Sequence, residues 1–303
     1  MSEIIISVKN LTKHFKENNV IKNVSADFEK GKIHGIIGRN GSGKTVLFKC
    51  ICGFMPYTSG QIKVNNKVIG KDTDVPRNVG IIIEEPGFLP HYSGFKNLTV
   101  LSSINKKITK NNICETMRMV GLDPKSKKHV GKYSLGMRQR LGIAVALAGS
   151  PDFLVLDEPV NGLDPQGIIE IRELILKLNQ EHGITVLISS HILDELSKLA
   201  TYYGFIDNGK MIKQISSIEL ESKCRKCTHL KVSSTKTLAY VLDTMNIEYK
   251  ILSNTEADIF EKVNISKLTT ELSKKDCEVI SIHEHDESLE SYFVSLVGGA
   301  RHE

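Results

Sequence analysis

An α/β layered fold is the architecture this sequence predicts over its first two thirds, and three observations predict it. Short apolar runs alternate with amphipathic segments from Met1 to about Lys210, the order in which strands and helices layer. The apolar runs are continuous, as in strands covered on both faces. One of them, residues 32–37, ends in a glycine-rich turn that leads into a helix-forming stretch, 43–52.

Further strands are expected at 79–83, 153–156 and 184–189. Residues 86–131 turn polar and helix-like, with a helix at 111–120 closed by Gly121. A helix at 165–181 places Ile168, Ile171, Leu174, Ile175 and Leu178 on one face. From about residue 218 the pattern changes. Strands at 230–232, 247–252, 258–262 and 279–282, with helices at 235–245 and 265–273 and a closing helix at 288–297, suggest a small α+β domain of split βαβ type.

Composition narrows the class. Hydrophobic residues at 40% and charged residues at 25% fit a globular chain. The net charge of +5 is spread over 40 basic and 35 acidic residues, too balanced to point to nucleic acid. No apolar run approaches the roughly 18 residues of a membrane span, and the start lacks the basic and apolar regions of a signal peptide. A cytoplasmic location is expected, with membrane contact only through a partner. The six cysteines read as small buried hydrophobes of a reduced compartment. Cys224 and Cys227 form a lone C-x-x-C near His229, without the second pair that a structural zinc site needs. His283 and His285 share one strand face, and a solvated connector is favoured there over a metal patch.

Two strings carry chemistry in their residues alone. Gly38-Arg39-Asn40-Gly41-Ser42-Gly43-Lys44-Thr45, followed by Val46, matches G-x-x-x-x-G-K-[ST] between a strand and a helix. Glycines there let backbone N–H groups curl around phosphate oxygens, and the helix start adds partial positive charge. Lys44 is expected to reach the β- and γ-phosphates of ATP and Thr45 to ligate Mg²⁺. Asp157 and Glu158 end a buried strand. Asp157 is expected in the Mg²⁺ shell, with Glu158 polarising the attacking water.

Tyr133-Ser134-Leu135-Gly136-Met137-Arg138-Gln139-Arg140 resembles the signature motif of ATP-binding cassette (ABC) proteins. Asn161-Gly162-Leu163-Asp164 resembles the D-loop of that family and Ser190-His191 its switch histidine. Phe15 stands where the family places the aromatic that stacks on adenine. The likeness covers about residues 4–213. It implies a P-loop NTPase fold with a helical insertion, followed by the small α+β domain: residues 1–217 as the ATP-binding domain, with the helical subdomain at about 86–150, and 218–303 as an accessory domain. It also implies two cassettes in a head-to-tail pair, Ser134 and Gly136 of one facing the γ-phosphate held by the other, and His191 sensing that phosphate.

Two departures stand out. Leu135 and Met137 replace a glycine and a glutamine of the usual signature, and Glu84 falls where the family carries a glutamine. A carboxylate there would bind Mg²⁺ as an anion; alternatively, Glu84 and Glu85 form a solvated acidic pair. These strings, with 289–293, resemble the ATP-binding subunits of bacitracin-resistance and lantibiotic-immunity exporters. That likeness implies a separately encoded transmembrane permease, docking at the helical insertion, and a position on the inner face of the membrane. Non-transport ABC ATPases are the alternative. Those tied to translation usually carry two cassettes per chain, and those tied to DNA carry a long coiled coil between the motifs; this sequence has neither.

Overall fold

The computed structural model describes residues 3–16, 18–84, 87–103, 108–223, 227–261, 263–285, 292–294 and 296. The chain divides into two compact units, Met1–Ser217 and Ile218–Glu303.

The first unit holds two sheets. β1 (Ile4–Phe15), β2 (Asn18–Glu29), β4 (Ser59–Val64) and β5 (Lys67–Val68) form an antiparallel sheet in the order β2-β1-β4-β5. The sequence pattern does not announce this sheet, because bulges between Val8 and Lys13 interrupt its alternation. The second sheet is built from β3 (Ile33–Ile37), β6 (Val79–Ile82), β7 (Phe153–Asp157), β8 (Thr185–Ser190), β9 (Tyr202–Asp207) and β10 (Lys210–Ser216). Its order is β10-β9-β3-β8-β7-β6, parallel except where β10 turns back on β9. Every residue of β3 and β8 is buried, as their continuous apolar runs require.

Helices cover this sheet. α1 (Lys44–Ile51) buries Leu47, Phe48 and Ile51 in a core shared with Ile6, Phe28 and Phe153. α5 (Pro165–His182) buries Ile171, Leu174, Ile175 and Leu178, about 1.5–3 kcal/mol each. Its ends are written locally. The Asp164 carboxylate accepts the Gly167 amide at 3.1 Å, Pro165 opens the first turn, and Gly183 closes the helix at φ +66°. The insertion consists of α2 (Gly94–Ser102), α3 (Lys110–Met119), a short 3₁₀ turn and α4 (Leu135–Leu147). A capping box of Thr109 and Asn112 starts α3, and Gly121 lies just beyond its end. α6 (Leu193–Ser197) follows β8.

After α7 (Ser217–Lys223), the second unit runs β11 (Cys227–Val232), α8 (Thr235–Thr244), β12 (Tyr249–Ile251), β13 (Glu256–Ile259), α9 (Ile265–Ser273) and β14 (Val279–His285). The antiparallel order β12-β13-β11-β14 is a split βαβ arrangement, with β13 inserted between β11 and β12. Leu230, Val232, Ala257 and Ile259 pack against Leu238, Leu242, Leu268 and Leu272. His283 and His285 belong to strand β14, where a connector was expected. Cys224 and most of the closing helix expected at 288–297 lie outside the described residues. Among the described residues, no helix is long and apolar enough to cross a membrane.

Candidate functional site

Parallel strands deliver their following loops to one edge of a sheet. Here the register aligns Ile37 with Ser190, Asp157 with Ser189, and Ile82 with Leu156. The segments that leave β3, β7, β8 and β6 therefore emerge together. They carry Gly38 to Thr45, Glu158, His191 and Glu84, distant in sequence and neighbours in the fold.

The glycine-rich loop is shaped by what surrounds it. A Cβ on Gly38 would lie 2.4 Å from the carbonyl oxygen of Ile206 on β9 and 2.4 Å from Ser42 Oγ. Gly43 takes φ +107°, immediately before α1, a conformation open to glycine at little cost. Ser42 is 4% exposed, and its hydroxyl oxygen has no hydrogen-bond partner among the described residues. A buried orphan oxygen in an amide-lined loop fits a phosphate ligand.

Lys44 is 6% exposed, and all three ammonium donors are directed. Nζ lies 2.7 Å from Gly38 O, 3.3 Å from Arg39 O and 3.2 Å from Glu158 Oε1. The other oxygen of Glu158 lies 2.6 Å from His191 Nδ1, so a cation and an imidazole bracket this carboxylate. Glu158 sits at φ +50°, a strained conformation for a side chain of this kind, costing about 1–3 kcal/mol.

Beside it, Thr45 Oγ1 donates to Asp157 Oδ2 at 2.6 Å. Ser189 Oγ donates to Asp157 Oδ1 at 2.5 Å and accepts the Glu158 amide at 2.9 Å. Ser189 is fully buried and ties both carboxylate residues to β8. In the sequence Ser189 is one more residue of an expected strand, and its hydroxyl after the aliphatic run of β8 is the signal it carries. The hydroxyl of Thr45 and the carboxylate of Asp157 form a hard-oxygen pair that suits Mg²⁺.

A cavity of about 360 Å³ is lined by Asn40, Gly41, Lys44, Thr45, Val46 and Glu158, with Val20 of β2 at its wall. Val20 was also missed, because nothing in the β2 sequence ties it to the loop. Arg39 and Asn40 are exposed. Phe15, at the end of β1, is 41% exposed, with Lys13 Nζ 4.9 Å from its ring centre.

Glu84 stands apart. Its carboxylate pairs with Lys49 at 2.6 Å, one helical turn beyond Thr45 on α1, and no hydrogen bond among the described residues joins it to Thr45 or Asp157. It too has positive φ, +66°.

Ser134 caps α4 by accepting the Met137 amide at 3.2 Å, and it is exposed. Leu163 lies 3.9 Å from where a Gly136 Cβ would be, and Leu135 lies 3.3 Å from the corresponding point on Gly162. The start of α4 and the turn before Asp164 thus pack together, with Ser134 and Asp164 both open to solvent.

Burial holds the His34 imidazole below the usual histidine pKa. It is 3% exposed, stacked on Tyr202, with Nε2 2.9 Å from Glu29 O. Burial also pushes the Cys50 and Cys52 thiols up to about 11 and about 12.

Known proteins resemble this chain in sequence and in fold. The family model described as ABC transporter matches residues 21–161. The chain is 35% identical over 303 residues to the bacitracin transport ATP-binding protein BcrA of Enterococcus faecalis, covering 98% of this chain and 97% of that one. The BcrA protein of Bacillus licheniformis is 37% identical over 300 residues, covering 97% and 98%. The lantibiotic transport ATP-binding protein SrtF of Streptococcus pyogenes is 40% identical over 208 residues, 69% of this chain and 89% of SrtF. Among solved structures, the ADP conformation of the ATP-binding cassette MJ1267 matches with a TM-score of 0.65 at 25% identity, covering 73% of this chain and 94% of that one. The dimeric post-hydrolysis cassette MJ0796, bound to ADP and Pi, shares the fold at a TM-score of 0.62 and 22% identity, covering 70% and 98%. With a phosphate loop and strand-end carboxylates on a cassette sheet, and relatives aligned over nearly its whole length, the chain belongs to the ATP-binding subunits of ABC transporters and is an ATPase.

Proposed function

We propose that this chain drives the export of antimicrobial peptides, giving self-immunity or resistance, as one of two paired cassettes on the inner face of the membrane. The observation that carries this reading is the likeness to two bacitracin transport proteins, which spans both units of the chain.

The chemistry rests on position and charge. Lys44 would turn its ammonium from the Gly38 and Arg39 carbonyls to the β- and γ-phosphate oxygens of ATP, joined by the loop amides and the Ser42 hydroxyl. Glu158 would orient the attacking water, and His191, hydrogen-bonded to it, would sense the γ-phosphate. Phe15 would stack on adenine. Thr45 and Asp157 would hold Mg²⁺, and Glu84 would join them by exchanging Lys49 for the ion; Mg²⁺, when bound, neutralises charge building on the phosphates. Exposed Ser134 and the Gly136 backbone would complete the pocket of a second cassette, with Asp164 at the same face. The permease would dock on the helical insertion that follows Glu84.

Glu158→Gln tests the reading. The variant should retain ATP affinity while turnover falls by about 10²–10⁴-fold, and cells expressing it with the permease should lose peptide resistance. Lys44→Ala should weaken ATP binding itself. Hydrolysis at the parental rate by Glu158→Gln would overturn the catalytic assignment, and unchanged peptide sensitivity without this chain would overturn the cargo.

A further inference from the structure

Two glycines far apart in sequence, Gly43 and Gly209, meet beside the cavity. β9 and β10 join through a two-residue turn, Asn208-Gly209, between the paired residues Asp207 and Lys210. Both turn residues take positive φ, +46° and +79°, the hairpin geometry that Asn-Gly favours. The turn is held from two sides. The Gly209 amide donates to the Ser42 carbonyl of the glycine-rich loop at 3.0 Å, and the Gly209 carbonyl accepts the Lys22 amide of β2 at 2.8 Å. A Cβ on Gly209 would fall 2.2 Å from the carbonyl oxygen of Val20, the β2 residue at the cavity wall. One on Gly43 would fall 3.1 Å from the same oxygen and 3.7 Å from the Gly209 Cα. Backbone meets backbone here, and neither glycine has room for a side chain.

The Ser42 carbonyl and the Gly43 amide belong to one peptide unit. In a planar trans peptide the C=O and the N–H point in opposite directions. Holding the Ser42 oxygen on Gly209 therefore turns the Gly43 N–H away from the β9–β10 turn. Gly43 lines the cavity of about 360 Å³, together with Lys44 and Thr45, and Gly209 does not. Gly43 is buried, and among the described residues no acceptor takes its amide. A buried donor of this kind calls for a partner from outside the chain. A turn that only packed would leave the direction of this amide to the loop itself.

We infer that Gly209 is a positioning residue for nucleotide binding: its amide holds the Ser42 carbonyl and so aims the Gly43 N–H at a phosphate oxygen of ATP. That role rests on the proposed placement of the triphosphate in the loop at residues 38–45.

The test replaces Gly209 by glycolic acid in the full chain, through a suppressor tRNA charged with the hydroxy acid. The ester removes the donated proton, adds no bulk at φ +79°, and leaves the Gly209 carbonyl to Lys22. Loss of an amide hydrogen bond to a charged oxygen corresponds to about 10–100-fold in affinity. The Kd for Mg²⁺–ATP should rise within that range, and KM with it, while kcat changes less. In protein labelled with ¹⁵N-glycine, the Gly43 amide resonance should move downfield with Mg²⁺–ATP in the parent and much less in the ester variant. Gly209→Ala, whose methyl group would strike the Val20 oxygen, should weaken ATP binding at least as far and lower the melting temperature. Asn208→Gly keeps the turn and its amide and should keep the parental KM. Parental ATP affinity in the ester variant overturns the inference, as does a Gly43 resonance that ATP leaves unmoved in the parent. An equal loss of affinity in Asn208→Gly would trace the effect to turn stiffness and overturn it too. Lys44→Ala separates the two readings. If that variant binds ATP like the parent, the placement of the triphosphate falls; if it loses ATP while the ester variant keeps it, the role of Gly209 alone falls.

Discussion

A single buried hydroxyl, Ser189, links the two carboxylate residues at the end of β7. It gives its proton to Asp157 and accepts the Glu158 amide, fixing a backbone that is already strained. Ser189→Ala leaves both groups a partner short, so stability should fall by about 1–3 kcal/mol. Turnover should fall by roughly tenfold, with ATP affinity changing less. Denaturant midpoints and single-turnover rates would check this, and an unchanged rate would reduce Ser189 to packing. His34 gives a prediction in pH. Its folded pKa is depressed by burial, so the unfolded chain binds its proton more readily. The stability it contributes is fully present above about pH 6.5 and is lost as pH falls through the folded value. The urea midpoint of the parent should therefore drop more steeply below pH 6.5 than that of His34→Gln. Equal slopes would place the acid sensitivity elsewhere.

Among the elements, the glycine-rich loop before α1 depends closely on its neighbours. Gly38→Ala would drive a methyl group into the Ile206 carbonyl at 2.4 Å, and backbone on a central strand gives way poorly. We expect at least a tenfold loss of ATP affinity by isothermal titration, together with a lower melting temperature. Tight binding by the variant would show that the loop can re-form away from β9. The motif itself was legible from eight residues in a row. Its dependence on β9 was not, because Ile206 comes from the far end of the domain sequence. Helices α3 and α5 were legible for the opposite reason: Gly121, Asp164 and Pro165 mark their ends within a turn or two, by local hydrogen bonds and fixed dihedrals. The antiparallel sheet escaped notice because bulges in β1 break the period that reveals a half-buried strand.

For the molecule as a whole, division into Met1–Ser217 and Ile218–Glu303, each with its own apolar core, predicts two thermal transitions. Bound ATP should raise only the one belonging to the first unit, by about 2.7 kcal/mol at a hundredfold excess over Kd. Differential scanning calorimetry with and without nucleotide would show it. A single transition that rises as a whole with nucleotide would mean that the units unfold as one.

Contiguous residues carry the glycine-rich loop before α1, the Asp157–Glu158 strand end and the helix start at Ser134, and with them the kinship to ABC ATP-binding subunits. Tertiary structure alone decided the meetings between distant segments: Ser189 with both carboxylate residues, Glu84 with Lys49, Val20 at the cavity wall, and His229 opposite His283. The physical reason is strand pairing. Register is set by core packing across whole sheets, so one strand does not reveal which side chain will face it from the next.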